Sequence, residues 1–204
     1  MARASQGKSV AKDMRERIAE AALAILESEG AQAVSMRRIA QEVGVTPMAI
    51  YHHYANREAL LQALVYREID EITARVARRT RPAGRPGDFI RAADTFVAYA
   101  LERPHMFDYI YTAQRPRPVR YPEDFHAGKS SSLSALADQV AAAMARGELR
   151  QGDIWEVALQ FWAHAHGYLT LYRSGWFTLD EKAFRALYRR AVTRLLEGLN
   201  APPE

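Results

Sequence analysis

Two short amphipathic stretches separated by a single glycine constrain this chain more than any other feature. Ser35 can cap a short helix that carries Ile39, Ala40 and Val43 on its inner face. Gly44 stops that helix, since glycine tolerates the left-handed conformation there. Thr46 then caps a second helix running to about Tyr54, with Pro47 at its first position, where a missing N–H costs nothing. Two short helices with apolar residues only on their inner faces, joined by a glycine turn, form a helix-turn-helix unit.

The flanks are helical as well. From Asp13 to Glu29 the apolar residues Ile18, Ala21, Ala22, Ile25 and Leu26 follow the i, i+3, i+4 stripe, and Gly30 closes the segment. Asn56 caps a fourth helix whose inner line runs Leu61, Leu64, Val65, Ile69, Ile72 and Val76. After the breaker-rich RTRPAGRPG (79–87), Phe89, Ala93, Phe96, Val97 and Ala100 mark a fifth helix, which must end before Pro104. A short aromatic segment follows, then the proline-punctuated loop QRPRPVRYPED (114–124), which is either a lid or a surface connector. Leu133 to Met144 mark another helix, closed by Gly147. Capping-box patterns at Asp153-x-x-Glu156 and Thr178-x-x-Glu181 predict the starts of the last two. The helix from Ile154 to Arg173 spans roughly 30 Å and is apolar nearly all round, so it must be covered on more than one side. No strand alternation or internal repeat occurs. The expected fold is all-α: a three-helix N-terminal unit, a linking helix and a helical C-terminal domain, about nine helices in all.

Composition narrows the function. The 204 residues include no cysteine, which excludes a disulfide scaffold, cysteine metal sites and a cysteine nucleophile. Without an apolar run of membrane-spanning length or a signal-peptide core, the expectation is a cytoplasmic protein with no membrane partner. Residues 1–122 hold 19 Lys and Arg against 14 Asp and Glu, whereas residues 123–204 hold 9 against 10. Arg3, Lys8 and Lys12 meet no acid among the first twelve residues, a basic arm suited to an anionic partner such as nucleic acid.

The second short helix could enter the major groove, with Thr46, Pro47, Met48 and Ala49 meeting base edges. Behind them Tyr51-His52-His53-Tyr54 offers hydroxyl and imidazole groups at phosphate height, and Arg57 adds a charge beside a helix N-terminus. At this point the run S-M-R-R-I-A-Q-E-V-G-V-T-P-M-A-I-Y-H-H-Y-A-N-R-E-A-L-L, with the amphipathic helix before it, resembles a known family. Residues 14–65 resemble the DNA-binding domain of the TetR-like (tetracycline repressor type) transcriptional regulators.

The resemblance implies a dimer on a near-palindromic double-stranded operator and a C-terminal domain that holds a small effector and the dimer interface. It implies that Tyr51, His53 and Arg57 contact the DNA backbone, that Met36 and Arg37 add contacts, and that Thr46, Pro47, Met48, Ala49 and His52 read bases. Position 57 more often carries Lys in that family, and Arg should serve equally as the phosphate cation. Pro47-Met48-Ala49 is poor in donors, so thymine methyls and DNA shape should supply much of the specificity, with Arg37 or His52 adding polar readout. Tyr54 is expected in the core. The division implied is residues 1–56 for DNA and 57–204 for effector and dimerisation, the dimer using the helices at 153–173 and 178–199.

Glu156, Gln160 and His164 form one polar line on the long apolar helix, either a solvated seam or a pocket wall. Phe107, Tyr111, Gln160, Trp162 and His164 are the effector-pocket candidates. Adjacent His52 and His53 face different directions, and His164 and His166 also diverge, so no metal or cofactor is expected. The competing reading is a small all-α enzyme or a ligand-binding module that does not touch DNA. Against an enzyme, the chain has no phosphate-binding glycine loop, no HExxH spacing and no nucleophile elbow.

Overall fold

Short helices keep few internal hydrogen bonds, so their ends decide whether they form. In the computed structural model, which describes residues 2–80, 86–111 and 120–200 (side chains excluding 2–13 and 86), the expected caps are in place. The Ser35 hydroxyl accepts from the Arg38 N–H (3.3 Å) and starts α2 (Met36–Val43). Thr46 accepts from the Ala49 N–H (3.3 Å) and starts α3 (Pro47–Tyr51). Gly44 stands between them at φ +76°, the left-handed region where a side chain would be strained. Asn56 accepts from the Ala59 N–H (2.7 Å) ahead of α4 (Arg57–Arg79). Before α2 come α1 (Ala2–Glu29) and a single 3-10 turn, Ala31–Ala33.

The chain is all-α, with ten helices among the described residues. After α4 follow α5 (Pro86–Glu102), α6 (Pro104–Tyr111), α7 (Glu123–His126), α8 (Ser131–Ala145), α9 (Ile154–Arg173) and α10 (Glu181–Leu199). The short aromatic segment is the helix α6, whose Pro104 occupies the first position and so sacrifices no hydrogen bond. α7 lies in the proline-punctuated stretch, where Asp124 accepts from the Arg120 N–H (2.9 Å) and from Lys129 Nζ (2.7 Å). Residues 81–85 and 112–119, most of the two breaker-rich connections, lie outside the described residues, as do the side chains of Arg3, Lys8 and Lys12. Asp153 starts α9 as expected, accepting from the N–H groups of Trp155 (2.8 Å) and Glu156 (2.9 Å). The start expected at Thr178 is corrected: Asp180 is the cap of α10, accepting from Ala183 N–H (2.7 Å). No described helix is long and apolar enough to cross a membrane.

Two compact units result, Met1–Glu68 with Arg103–Ala113, and Ile69–Glu102 with Gln114–Glu204. The first buries Ile18, Leu26, Ile39, Ile50 and Leu61 completely. Arginines tie its turns. Arg17 donates to the Val43 carbonyl at the end of α2 (2.9 Å), and Arg15 donates to the His53 carbonyl just past α3 (3.0 Å). These are carbonyls a helix leaves unpaired, at the end where its dipole favours a cation. Arg57 grips the 3-10 turn, donating from Nε to Val34 (2.7 Å) and from Nη2 to Ala31 (2.5 Å). Glu68, 3% exposed, accepts from Arg103 (3.0 Å), which fastens the start of α6 to α4 within this unit.

In the second unit α9 packs against α8, α5 and α10, the coverage its apolar circumference requires. Phe161 of α9 stacks on Phe89 of α5 (4.9 Å), and Tyr172 stacks on Phe184 of α10 (3.9 Å). His166 packs against Trp162 and Phe96, with Nδ1 2.7 Å from the Trp162 carbonyl. Burial lowers its pKa to about 4 despite that hydrogen bond.

Two outcomes are expected. Arg57→Ala should cost about 2 kcal/mol in denaturant unfolding, because charged hydrogen bonds to two carbonyls are lost. Arg57→Lys should cost less, since one ammonium can still reach one carbonyl. For His166 the folded pKa lies below the unfolded value of about 6.5. The folded state therefore binds fewer protons between pH 6.5 and 4, and the contribution is complete above 6.5 and lost as pH falls through that window. From pH 7 to pH 4 the wild type should lose about 3 kcal/mol more than His166→Gln, measured by urea titration at each pH.

Candidate nucleic-acid interface and ligand cavity

The residues that could meet DNA follow from which side of α3 is committed to the core. Ile50 is fully buried and anchors the helix, and Tyr54 is 6% exposed with the Arg15 guanidinium 4.5 Å over its ring. Opposite that anchor Met48 is 68% and Tyr51 48% exposed, and Thr46, Pro47 and His52 are exposed too. Ala49 and His53 are half-buried. The outer edge of α3 thus carries a thioether, a phenol and an imidazole, with no acid between Thr46 and His53. At 1.5 Å per residue the helix is only about 7.5 Å long, well within a major groove. Arg37 is exposed one residue into α2.

Two of the residues expected at DNA have side chains engaged within the unit. Met36 is 7% exposed, so its side chain belongs to the core, and only its backbone N–H at the start of α2 remains for an anion. Arg57 spends its guanidinium on the Val34 and Ala31 carbonyls and lies 3.4 Å from Glu58, so it is first a brace for the turn before α2. The bracing roles of Arg15 and Arg17 are set by contacts distant in the chain. Their signal is present in the sequence only as two arginines flanking Glu16 on the first helix, a pattern that ordinary solvated charges share.

A separate cavity of about 120 Å³ lies in the second unit, walled by the end of α4 and by α5, α8, α9 and α10. Of the five pocket candidates, Trp162 lines it. Phe107 and Tyr111 lie in the other unit, where their rings pair at 5.0 Å. Gln160 is exposed, and His164 faces Tyr168 (4.9 Å) and Tyr188 (6.0 Å) outside the lining. The wall α9 contributes is Phe161, Trp162 and Ala165, one helical face away from the Glu156–Gln160–His164 line. Polar groups in the lining come from Thr73, Ser132, Gln139 and Tyr188, which sequence reasoning missed because they sit on three different helices. Among the described residues no charged one lines the cavity, and burial raises the Tyr188 phenol and lowers His164, so both stay neutral at pH 7. Among the described residues no group of three His, Cys, Asp or Glu could hold a metal ion.

Comparison with known proteins gives this arrangement its context. Residues 18–64 match the family model for bacterial regulatory proteins of the tetR family, and residues 89–195 match the tetracyclin repressor-like C-terminal domain. An HTH-type transcriptional regulator of Mycobacterium tuberculosis is 26% identical over 93% of this chain and 83% of its own length. The HTH-type transcriptional repressor KstR of Mycolicibacterium smegmatis is 26% identical over 76% of this chain and 79% of its own. A TetR-family transcriptional regulator from Pectobacterium atrosepticum shares the fold at a TM-score of 0.74, with 17% identity over 96% of this chain and 98% of that one. The two family models together cover the exposed α3 edge, Arg57 and the cavity walls contributed by α5, α8, α9 and α10, and this chain belongs to the TetR family of DNA-binding, ligand-responsive transcriptional regulators.

Proposed function

We propose that this regulator acts as a two-fold dimer that represses transcription from a near-palindromic operator and is released when a small molecule occupies the cavity in the second unit. The observation that carries the proposal is the outer edge of α3, where Met48 and Tyr51 stand exposed beside Pro47 and His52 while Ile50 anchors the helix. Large apolar and aromatic side chains held out on a rigid helix need a partner surface. In this reading Tyr51, His53 and the N-terminus of α2 position the phosphates. Met48, Pro47, Ala49 and Thr46 meet thymine methyls and groove shape, and Arg37 or His52 adds polar readout. Arg57 contributes through the turn it braces and through charge.

Two recognition helices would enter successive major grooves about 34–36 Å apart. An effector releases the operator only by binding one state of the dimer better than the other. Repression follows the mycobacterial relative named a repressor. Residues 1–56 are assigned to DNA and 57–204 to effector and dimerisation, although 57–68 and 103–111 pack with the first unit. For the dimer we assign the helices at 153–173 and 178–199, supported by Leu171 and Trp176, which remain 44% and 78% exposed. Leu169 is fully buried within the single chain and belongs to its core. Leu195 is half-buried and available.

Selection from random duplex DNA should recover a palindromic consensus with the wild type and lose it with Tyr51→Ala, with affinity falling as salt rises. Enrichment that survives Tyr51→Ala would remove α3 from the interface. Leu195→Glu should shift the sedimenting species from dimer to monomer at micromolar concentration. A dimer that persists moves the seam elsewhere.

A further inference from the structure

The second unit also holds a cleft of opposite character to its apolar cavity. Where α4, α5 and α10 meet, a space of about 370 Å³ is lined by Arg75, Arg78 and Arg79 of α4 and by Arg185 and Arg189 of α10. We propose that this cleft is a binding site for a small polyanion, a molecule carrying two or more phosphate or carboxylate groups. It shares no lining residue with the apolar cavity, so the two are separate sites. Its volume falls within the roughly 300–1,000 Å³ of small-molecule sites. Helical spacing explains the convergence: positions 75, 78 and 79 stand on one face of α4, and 185 and 189 on one face of α10.

Charge carries the assignment. Against those five cations the lining holds two carboxylates, and both are already engaged. Glu102 accepts from Arg75 (2.9 Å), and Asp94 accepts from Nε and Nη2 of Arg189 (3.3 and 2.7 Å). Outside the lining, Glu71 pairs with Arg75 (2.9 Å) and Glu181 with Arg185 (2.7 Å). Those are exposed pairs one helical turn apart, which hold their partners weakly. Arg78 stands 3.7 Å from Glu71, beyond hydrogen-bond range, and Arg79 has no ion pair among the described residues. Each guanidinium carries five N–H donors in a planar fork that fits an oxyanion bidentately. Cations in the last turn of α4 suit its dipole, which accounts for Arg78 and Arg79 alone. It does not account for two more arginines early in α10, where a dipole favours no cation. A single carboxylate meets one fork, whereas a polyanion joins arginines of both helices and relieves the repulsion among them.

Calorimetric titration of the full chain at pH 7, without DNA, with pyrophosphate, citrate and acetate tests the proposal. Pyrophosphate or citrate should bind and weaken as salt rises, with acetate at least about tenfold weaker. The tighter of the two polyanions tells whether phosphate or carboxylate supplies the charge. A variant carrying both Arg78→Gln and Arg79→Gln, two exposed positions, should bind that polyanion about tenfold more weakly. Arg189→Gln is the second variant and should weaken it likewise should the first not fold. Arg37→Gln, in the first unit, should leave the affinity unchanged. Acetate binding as tightly as the polyanions, no uptake of either polyanion, or an affinity unmoved in both cleft variants overturns the proposal. So does a loss in Arg37→Gln, which would put the anion on the exposed surface of α2 and α3. A cleft variant that sediments as a monomer where the wild type is a dimer would place a second copy of the chain there, and also overturns it.

Discussion

A five-residue helix has almost no stability of its own, because nucleation fixes several residues before any hydrogen bond is repaid. α3, the element that presents Met48 and Tyr51, is such a helix. It exists because its ends are satisfied from outside: Thr46 at the start, and Arg15 on the carbonyl just past the end. α2 has the same dependence, with Ser35 at one end and Arg17 at the other, and Arg57 holds the turn that feeds it. The exposed edge of α3 is therefore held by backbone groups that water or an arginine must pair, and here arginines do it.

That arrangement changes what basic residues mean in the head. A positive balance reads as an electrostatic footprint for DNA, yet several of the cations are already engaged. Arg38 pairs with Glu29 and Arg67 with Glu16 (2.9 Å), while Arg15, Arg17 and Arg57 hold carbonyls. Their charge still adds to the field that a phosphate meets, but their geometry serves the protein. Arg57 shows the distinction best. Its guanidinium reaches backwards in the chain, and its fork of donors holds two carbonyls of the turn before α2.

The second unit follows a different rule. α9 is too apolar for one partner, and three helices cover it. The packing leaves a void where small residues (Ala92, Ala93, Ala135 and Ala165) meet aromatic ones. A molecule that fills such a void gains contacts the empty protein lacks.

How much of this was legible depends on the range of the interaction. Caps at Ser35, Thr46, Asn56 and Asp153, the stop at Gly44 and the inward face of each helix follow from residues three or four positions apart, and the sequence by itself determined them. The all-α class and the helix-turn-helix resemblance rest on the same local signals. Thr178 carries the same capping-box spacing as a true cap, but Asp180, two residues on, is the stronger acceptor, and Pro104 both ends one helix and begins the next, which hides α6 in the pattern. What only the tertiary structure decided involves residues far apart in the chain. It buried Met36, turned Arg57 to the 3-10 turn, placed Phe107 and Tyr111 in the head unit, and gathered Thr73, Ser132 and Gln139 around Trp162. Helical periodicity tells which face of a helix is inward; which neighbour fills that inward space is chosen by packing among distant segments, and no single stretch of sequence records it.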